Sequence, residues 1–511
     1  MRTTLLSALL LFVSATMLIL PTASAERPDV IDLGSKRELF VDYFLIEKMD
    51  GTELRMHAPQ PAEIVLRLDR PWEGLFCGYF TVLKDGDLYR MYYRGMPKVG
   101  ENEVACLAES EDGIEWKRPN LGLHEVNGTT DNNVILRGEG CHNFSPFIDT
   151  RPGVPKTNRY KALGRTKGGL AAYVSHDGVH WSKLHDHPVL THKRHGEFDS
   201  QNVAFWSETE NTYVCYYRKF TNDVRWIGRA TSDDFIQWSD GEIMTIGVPS
   251  LEHDNYYVRL PNGRRAAFNG APYEHFYTNQ THPYFRAPHI YLSFPMRFRP
   301  RQNVLSQSEA RKIAVHPNYG NDASDGVFMT TRGGTHYDLT FPGAFFRPGL
   351  DPGNWVSRTN MAALGVVPTG PGEISIYYSQ HYAQPTHHIQ RFTLRTDGFI
   401  SVNAPYAGGE MTTKPFCFDG NTLTMNYSTS AAGTLRVELQ DKEGKAIPGF
   451  SLEECPAVIG DRIDGVITWE NGADVSKLAG KPIRLRLFMR DADVYSFRFV
   501  DNSVLKETAS F

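Results

Sequence analysis

The sequence lacks the motifs that mark several large enzyme classes. It contains no H-E-x-x-H phrase, no EF-hand loop, no Cys/His quartet, no G-x-S-x-G phrase and no glycine-rich phosphate loop. We therefore expect neither a metal nor a cofactor, and the serine hydrolase and nucleotide-binding classes are disfavoured. The six cysteines form no C-x-x-C pair. Cys417 and Cys455 are the expected disulfide, because both fall in the C-terminal segment.

Long apolar runs are also missing from most of the chain, and its net charge is small. The one long apolar run covers residues 5–20, follows Arg2 and precedes Ala23-Ser-Ala25. This pattern predicts a signal peptide over residues 1–25, and hence a secreted or periplasmic protein without a membrane span. The net charge of −5 offers no basic field for a polyanion. We therefore expect no nucleic-acid partner.

No segment keeps a 3.6-residue apolar period long enough for a substantial helix, so the sequence predicts an all-β fold. A turn phrase with the pattern S-x-D-G-x-x-W returns at residues 110–116 and 175–181, at 232–238 with Phe235 in place of the glycine, and in degenerate form at 330–337 and 395–399. Its Asp accepts local N–H bonds and its Gly supplies a positive φ, which indicates a structural turn and not an active site. Repeats of this size are typical of radial arrangements of four-stranded sheets.

The strands between these turns group into five units. We therefore predict a five-bladed β-propeller over residues 26–403. After about residue 404 the alternation of apolar and polar residues becomes longer, and this predicts a C-terminal β-sandwich over residues 404–511. The sandwich carries no recognisable catalytic set, so we expect it to act as a scaffold, with carbohydrate binding as the alternative.

Several phrases resemble secreted proteins related to glycoside hydrolase family 32, in the clan that also holds families 43 and 68. The phrases are residues 198–206, 274–279, 283–291 and 426–432. The resemblance implies a five-bladed propeller with a C-terminal sandwich, and activity on carbohydrate. The W-M-N-D-P-N-G, R-D-P and E-C phrases of family 32 enzymes are not recognisable here, which puts sucrose or fructan hydrolysis in doubt. At the place of the first phrase, the chain has residues 71–78, with Trp72 and Glu73.

Glycoside hydrolysis needs two carboxyl groups on opposite sides of the scissile bond. In a propeller, these must come from the loops that lead into the innermost strands. Those loops give three catalytic candidates, Glu73, Asp199 and Glu274. Polar and aromatic residues of the same and neighbouring loops are the candidate substrate-binding residues: Trp72, Asn143, Ser145, Gln201, Asn202, His275, Tyr277, Asn279, Arg286, His289, Arg358 and His381.

Two functions follow from these candidates, and a third stays open. The first is a secreted, exo-acting glycoside hydrolase that cleaves terminal sugars of an extracellular poly- or oligosaccharide with paired carboxylates. The alternative is a non-catalytic carbohydrate-binding propeller, favoured by the missing family 32 phrases. A protein-interaction scaffold is the third. If Arg286 and Arg358 converge, the sugar is expected to be anionic, because arginine binds carboxylates and sulfates bidentately.

Overall fold

The computed structural model describes residues 30–98, 103–191, 196–221, 224–248 and 275–503. The predicted signal peptide and Glu274 lie outside these residues. Strands dominate, as the sequence predicts, and none of the helices in the described part is long and apolar enough to cross a membrane. The one α-helix there is Gln307–Lys312, and the 3₁₀ helices are Lys156–Asn158, Pro317–Tyr319, Pro352–Asn354 and Ser476–Leu478.

Three consecutive antiparallel sheets have the same strand order, with the first strand of each at one edge. Sheet one contains Gly78–Asp85, Leu88–Gly95, Val104–Ser110 and Val134–Arg137. Sheet two contains His142–Ile148, Tyr160–Thr166, Gly169–Ser175, Ser182–Lys183 and Leu190–Thr191. Sheet three contains Val203–Ser207, Thr212–Thr221, Val224–Ser232 and Glu242–Ile243.

Two further sheets draw on strands that are distant in the chain. Sheet four contains His282–Tyr284, Ala287–Ser293, Met329–Thr331, His336–Asp338 and Thr245–Gly247. Sheet five contains Met361–Ala362, Val367–Gly370, Glu373–Gln380, His388–Arg395 and the N-terminal strand Gln60–Arg67. A three-stranded sheet of His275–Phe276, Met296–Pro300 and Asp322–Gly326 lies beside sheet three.

The repeated turn makes nearly the same hydrogen bonds in its three complete copies. In the first copy, Ser110 Oγ donates to Asp112 Oδ1 at 2.9 Å, and the same oxygen accepts the N–H groups of residues 114 and 115, both at 2.8 Å. Trp116 Nε1 donates to the Gly113 carbonyl at 3.0 Å. The copies at 175–181 and 232–238 repeat these bonds. These are the capping bonds expected of a structural turn.

Each of the three complete turns packs on a neighbouring sheet. Tyr377 of sheet five donates its hydroxyl to the Gly113 carbonyl at 2.5 Å, and Tyr92 of sheet one donates to the Gly178 carbonyl at 3.1 Å. The Phe235 ring in the third turn lies 5.6 Å from the ring of Phe147 in sheet two. Sheet one therefore lies between sheets five and two, and sheet two lies between sheets one and three.

Two buried glutamines connect the first strands of all five sheets. The Gln201 side chain, just before sheet three, donates to Thr81 Oγ1 of sheet one at 2.7 Å and to Ser145 Oγ of sheet two at 3.3 Å. Gln280, just before sheet four, donates to Gln201 Oε1 at 2.8 Å and to the Ala362 carbonyl of sheet five at 2.7 Å. Both glutamines are fully buried. The space between the first strands is therefore filled at this level.

A ten-stranded sheet holds the two ends of the described chain together. Its two longest strands, Thr422–Asp441 and Ile483–Val500, pair antiparallel with register shifts after Asn426 and Thr429. It takes four strands from residues 31–56, so the N-terminal segment packs with the C-terminal unit. The strands are Ile31–Gly34, Glu38–Leu39, Ile46–Asp50, Glu53–Met56, Ile400–Ala404, Gly409–Thr413, Phe416–Phe418, Thr422–Asp441, Asp461–Val466 and Ile483–Val500.

The expected Cys417–Cys455 disulfide is wrong, because both residues are free thiols. Cys417 Sγ lies 3.6 Å from the Gly480 carbonyl, whereas the buried Cys455 Sγ accepts the Val437 N–H at 3.3 Å. Cys417 lies on the strand Phe416–Phe418, whereas Cys455 lies in the connection between the strands Thr422–Asp441 and Asp461–Val466, and the two have separate partners. Their position in the same C-terminal segment was therefore not sufficient to predict a disulfide.

Candidate functional site

Three residues at the starts of the first strands adopt the left-handed conformation. Tyr79 in sheet one, Asn143 in sheet two and Phe198 before sheet three have φ values of 58°, 57° and 61°. The first two lie at β-bulges, where the ladder register shifts between Gly78 and Thr81 and between His142 and Ser145. Positive φ at non-glycine residues is uncommon and concentrates at functional sites.

The second strands bring an arginine to the same end of each of these sheets. Arg94 pairs with Gly78, and Arg165 pairs with His142. In sheet three, the Arg218 carbonyl accepts the Phe198 N–H at 3.2 Å. We call Arg94, Arg165 and Arg218 the second-strand arginines. The repeated turns lie at the opposite end of the sheets, because Ser110 pairs with Tyr89 at the far end of sheet one.

Asp199 is the carboxylate at the centre of this end. Its Oδ1 lies 3.2 Å from His142 Nε2 and 3.4 Å from Arg165 Nη1, and its Oδ2 lies 3.3 Å from Arg218 Nη1. Burial opposes its ionisation, but the His142 hydrogen bond and the two arginine charges outweigh it and lower the pKa of Asp199 to about 2. Its side chain remains 42% exposed. Asp199 is therefore an ionised carboxylate that solvent and ligand can reach.

His142 links Asp199 to a second carboxylate. Its Nδ1 lies 2.8 Å from Glu103 Oε2, and Glu103 Oε1 lies 3.6 Å from Arg94 Nη1. Burial raises the pKa of Glu103, but the His142 hydrogen bond and the Arg94 charge more than offset it, so the pKa is lowered. Glu103 is about one-fifth exposed. One imidazole thus separates two carboxylates that are both ionised at neutral pH.

Tyr277, directly after the strand His275–Phe276, is surrounded by guanidinium groups. The guanidinium carbons of Arg218, Arg225 and Arg358 lie 5.3, 5.3 and 5.5 Å from its ring centroid. We call these three residues the arginine trio. The Tyr277 hydroxyl lies 3.3 Å from the Tyr79 hydroxyl. Burial opposes ionisation of Tyr277, but Arg358 and Arg218 outweigh it and lower its pKa.

His275 lies against the same group of cations. Its Nδ1 accepts the backbone N–H of Arg225 at 3.3 Å, and the side chain is 8% exposed. Burial and the charges of Arg225 and Arg218 lower the pKa of His275 to about 4. The ring is therefore neutral at neutral pH and works as a hydrogen-bonding group, not as a cation.

The structure brings five of the sequence-predicted residues together: Asp199, Asn143, His275, Tyr277 and Arg358. Asn143 accepts from Arg94 Nη1 at 3.0 Å, and its buried Nδ2 has no hydrogen-bond partner within the described ranges. Arg358, with φ of 60°, donates from Nη1 to Tyr319 Oη at 2.8 Å. Glu274 lies outside the described residues.

Glu73 does not join this group. It is fully buried, and Arg118 donates from Nε to its Oε1 at 2.7 Å and from Nη2 to its Oε2 at 3.1 Å. Tyr93 Oη and the Arg70 N–H complete its shell at 2.8 and 2.9 Å. A carboxylate with this many internal donors has no lone pair left for a substrate. Glu73 therefore holds the start of sheet one together.

Four of the predicted binding residues make interior hydrogen bonds. Gln201 and Ser145 belong to the glutamine network between the first strands. The Asn202 amide donates to the Phe198 carbonyl at 3.0 Å, and Asn279 Oδ1 accepts the N–H of residue 281 at 3.0 Å. All four are buried, so they support the strand starts and do not face a ligand.

The other four lie elsewhere. Trp72 Nε1 donates to Asn133 Oδ1 at 2.7 Å. His381 lies 3.0 Å from an Asp351 carboxylate oxygen, beside a surface cavity of about 590 Å³.

Arg286 and His289 of sheet four pair with buried carboxylates. Arg286 Nε donates to Asp397 Oδ1 at 3.0 Å, and His289 Nε2 lies 3.2 Å from Glu38 Oε2. Both carboxylates face the ten-stranded sheet, since Ser496 Oγ donates to Asp397 and Glu38 lies on a strand of that sheet. These two cations join sheet four to the C-terminal unit, and they do not converge with Arg358.

Sequence reasoning missed several residues of the site: Tyr79, Glu103, His142, Arg225 and the second-strand arginines. One signal was present. Tyr-Tyr-Arg occurs at residues 92–94 and again at 216–218, at the same position of two repeats. No comparable pattern marks Glu103, His142 or Arg225. Among the residues with described placement, no group of three or more His, Cys, Asp and Glu could hold a metal ion.

No protein-family model and no curated protein matches the chain. Similar solved structures include glycoside hydrolases. One is a glycoside hydrolase with 12% identity and a TM-score of 0.39, covering 68% of this chain and 92% of that chain. Another comes from a study of family 130 mannoside phosphorylases and glycoside hydrolases that target β-1,2 mannosidic linkages in Candida mannan, with 16% identity, a TM-score of 0.38, and coverage of 70% and 97%. A fructofuranosidase variant from Schwanniomyces occidentalis in complex with fructosylnystose has 10% identity, a TM-score of 0.33, and coverage of 87% and 96%. At such low identities and TM-scores, activity and substrate have to be argued from the site itself.

Proposed function

We propose that sheets one to five are the blades of a five-bladed β-propeller, and that the ten-stranded sheet is the C-terminal β-sandwich. The turn contacts support this arrangement, because they place sheet one beside both sheet five and sheet two. The rings of Phe205 in sheet three and Tyr291 in sheet four lie 5.0 Å apart, and Gln280 links sheet four to sheet five. The strand Gln60–Arg67 would close the ring as the outer strand of the fifth blade.

We further propose that the protein is a secreted, exo-acting glycoside hydrolase whose ionised carboxylate is Asp199. The observation that carries this proposal is the geometry around Asp199. Two arginines and His142 keep it ionised, while its side chain remains accessible. The transition state of glycoside hydrolysis resembles an oxocarbenium ion, and a nearby carboxylate stabilises the developing positive charge or attacks it.

Exo action is supported by what lies beneath Asp199. Gln201, two residues further on, is fully buried in the network that fills the space between the first strands. This filled layer closes the site from below, so a sugar chain would approach from the side of the second-strand arginines, and we propose that its terminal residue is the one that reaches Asp199. Glu274 directly precedes His275 in the chain, and it remains our candidate for the proton donor.

The experiment is a screen of the purified protein against poly- and oligosaccharides, both neutral and acidic, with released monosaccharide as the readout. Asp199→Asn should abolish release, because the amide keeps the shape but loses the charge. A control is Asp351→Asn, which changes an exposed carboxylate beside the separate surface cavity. Release unchanged by Asp199→Asn would refute the assignment.

A non-catalytic carbohydrate-binding protein is the second candidate, and one observation favours it. Both Asp199 and Glu103 have lowered pKa values, so neither is a proton donor at neutral pH. If the screen shows saturable binding of a sugar without any release, this second function replaces the first. Where release is seen, Glu274→Gln tests the proton donor, because loss of that group lowers turnover and leaves binding in place.

A further inference from the structure

Within the described residues, the arginine trio carries more positive charge than its carboxylate partners balance. Arg218 shares Asp199 with Arg165. Neither Arg225 nor Arg358 forms an ion pair with any carboxylate in the described part of the chain. Arg225 Nη1 lies 3.4 Å from His275 Nδ1, and its guanidinium lies over the ring of Tyr277. Arg358 lies over the rings of Tyr277 and Tyr319.

We propose that Arg218, Arg225 and Arg358, gathered around Tyr277, form a subsite for a carboxylate or sulfate substituent on the sugar bound at Asp199. This inference rests on the proposed function only in taking the ligand to be a carbohydrate. It adds the class of that carbohydrate, an anionic sugar such as a uronate or a sugar sulfate.

The like charges of the trio repel one another, and a bound anion would relieve this repulsion. Burial lowers the pKa of Arg225, and the charges of Arg218 and Arg358 lower it further. Such mutual repulsion costs stability unless a counter-charge compensates it. The charges of Arg358 and Arg218 favour the ionised phenol of Tyr277, which accounts for the direction of its pKa shift.

Free hydrogen-bond donors point to the same conclusion. The Nε atoms of Arg218, Arg225 and Arg358 are buried and lack hydrogen-bond partners within the described ranges, as does Asn143 Nδ2. Arg218 and Asn143 are more than nine-tenths buried, at 6% and 1% exposure. Buried donors are normally satisfied, and unsatisfied ones in a native structure call for an explanation. An oxyanion supplies several acceptor lone pairs to such a set of donors.

The position of Arg218 fixes how such a sugar would lie. One guanidinium nitrogen contacts Asp199, and the same group lies over the Tyr277 ring. Arg218 thus belongs both to the proposed reaction centre and to the proposed anion subsite. In this proposal, a single sugar places its anomeric carbon at Asp199 and its charged substituent toward Arg225 and Arg358.

Calorimetric titration with D-glucuronate, D-galacturonate, D-glucose and D-galactose tests the proposal, with inorganic sulfate as a separate arm. We expect the uronates to bind at least tenfold more tightly than the neutral sugars at low salt, and less tightly as salt is added. Sulfate binding in the same range would extend the subsite to sugar sulfates. Neutral sugars that bind as tightly as the uronates would overturn the proposal.

Variants then locate the subsite. Arg225→Gln and Arg358→Gln should each weaken uronate binding at least tenfold, whereas Arg462→Gln, which changes an exposed arginine of the ten-stranded sheet, should leave it unchanged. Melting temperatures establish that the variants fold. Arg358→Lys keeps the positive charge and therefore provides a second check. It should retain more uronate affinity than Arg358→Gln. Unchanged uronate binding in folded Arg225→Gln and Arg358→Gln would overturn the proposal.

Tyr277 offers a readout that a purely structural role of the arginines would not change. A bound anion would raise the pKa of Tyr277 by like-charge repulsion, so titration of tyrosinate absorbance should shift to higher pH when glucuronate is added. The shift should be absent in Tyr277→Phe. No shift at saturating glucuronate would place the anion elsewhere and refute the subsite.

The outcomes also separate this inference from the proposed function. Uronate binding that depends on Arg225 and Arg358, without hydrolysis of any saccharide, would support the subsite and remove the hydrolase assignment. Hydrolysis of neutral saccharides that depends on Asp199, with no preference for uronates, would do the reverse.

Discussion

Replacing Glu73 with Gln tests whether this carboxylate is structural or catalytic. Glu73 is fully buried, and Arg118 binds both of its oxygens, at 2.7 and 3.1 Å. Removing one partner of a buried ion pair costs about 3–5 kcal/mol. Arg118 is partly exposed and lies 3.8 Å from Asp69, which retains some compensation. We therefore expect a loss near the lower end, about 3 kcal/mol.

This loss can be measured as a change in melting temperature. The entropy of unfolding is about 2.1 cal/mol/K per residue, so for a cooperative unit of roughly 350 residues a loss of about 3 kcal/mol lowers the melting temperature by about 4 °C. Calorimetry measures this shift, and sugar binding or release is assayed well below the transition. Because Glu73 contacts no residue of the Asp199 site, the activity of the folded protein should be unchanged.

Glu63→Gln is the matched control, since Glu63 also binds an arginine but on the surface. Its carboxylate lies 2.8 Å from Arg391 Nε and is 56% exposed, and exposed pairs contribute less than about 1 kcal/mol. The structural assignment of Glu73 would be refuted by the opposite pattern. That pattern is a melting temperature within about 1 °C of the native protein, together with a large loss of activity.

Two further predictions concern Asp199 and Arg286. Because the folded pKa of Asp199 is lowered to about 2, its ionised form stabilises the protein above the unfolded pKa of about 4, and this contribution disappears as pH falls toward 2. The melting-temperature difference between the native protein and Asp199→Asn should therefore shrink over this range; a constant difference would contradict the pKa. Arg286→Ala should destabilise the protein by about 3 kcal/mol, because Asp397 is fully buried and Arg37, 3.6 Å away, replaces only part of the lost charge. Sugar binding should persist in Arg286→Ala by calorimetry, and a loss of binding at unchanged stability would place Arg286 in the site.

The sequence predicted the local parts of the fold better than the distant pairings. The repeated turns were recognisable because their Ser, Asp and Trp bond to one another within seven residues. Because the strands of sheets one to three follow one another in the chain, the turns between them were sufficient to predict which strands share a sheet. The pairing of Gln60–Arg67 with His388–Arg395 joins segments more than three hundred residues apart. Neither strand carries a local signal for its partner.

The residues of the candidate site likewise include some that the sequence indicated and others that it did not. Asp199 and Tyr277 were found because they lie just before or beside predicted inner strands. Gln201 and Asn202, in the same polar segment as Asp199, turned out to be interior, since the backbone conformation at the start of a strand decides which side chain faces outward. Glu103, directly before the third strand of sheet one, entered the site through its contact with His142 of the next sheet, which no spacing in the sequence reveals.

The charged residues of the site fall into two groups, those that the repeated sheets account for and those that they do not. The second-strand arginines occupy equivalent positions in three repeats, and the carboxylates Glu103 and Asp199 pair with them. These charges can be explained by packing the ends of similar sheets. Arg225 and Arg358 come from a third strand and from the loop before sheet five, at positions the repeat does not dictate. Since they add charge that the described carboxylates do not balance, the repeat architecture alone does not account for them, and the anion subsite that we propose would account for them.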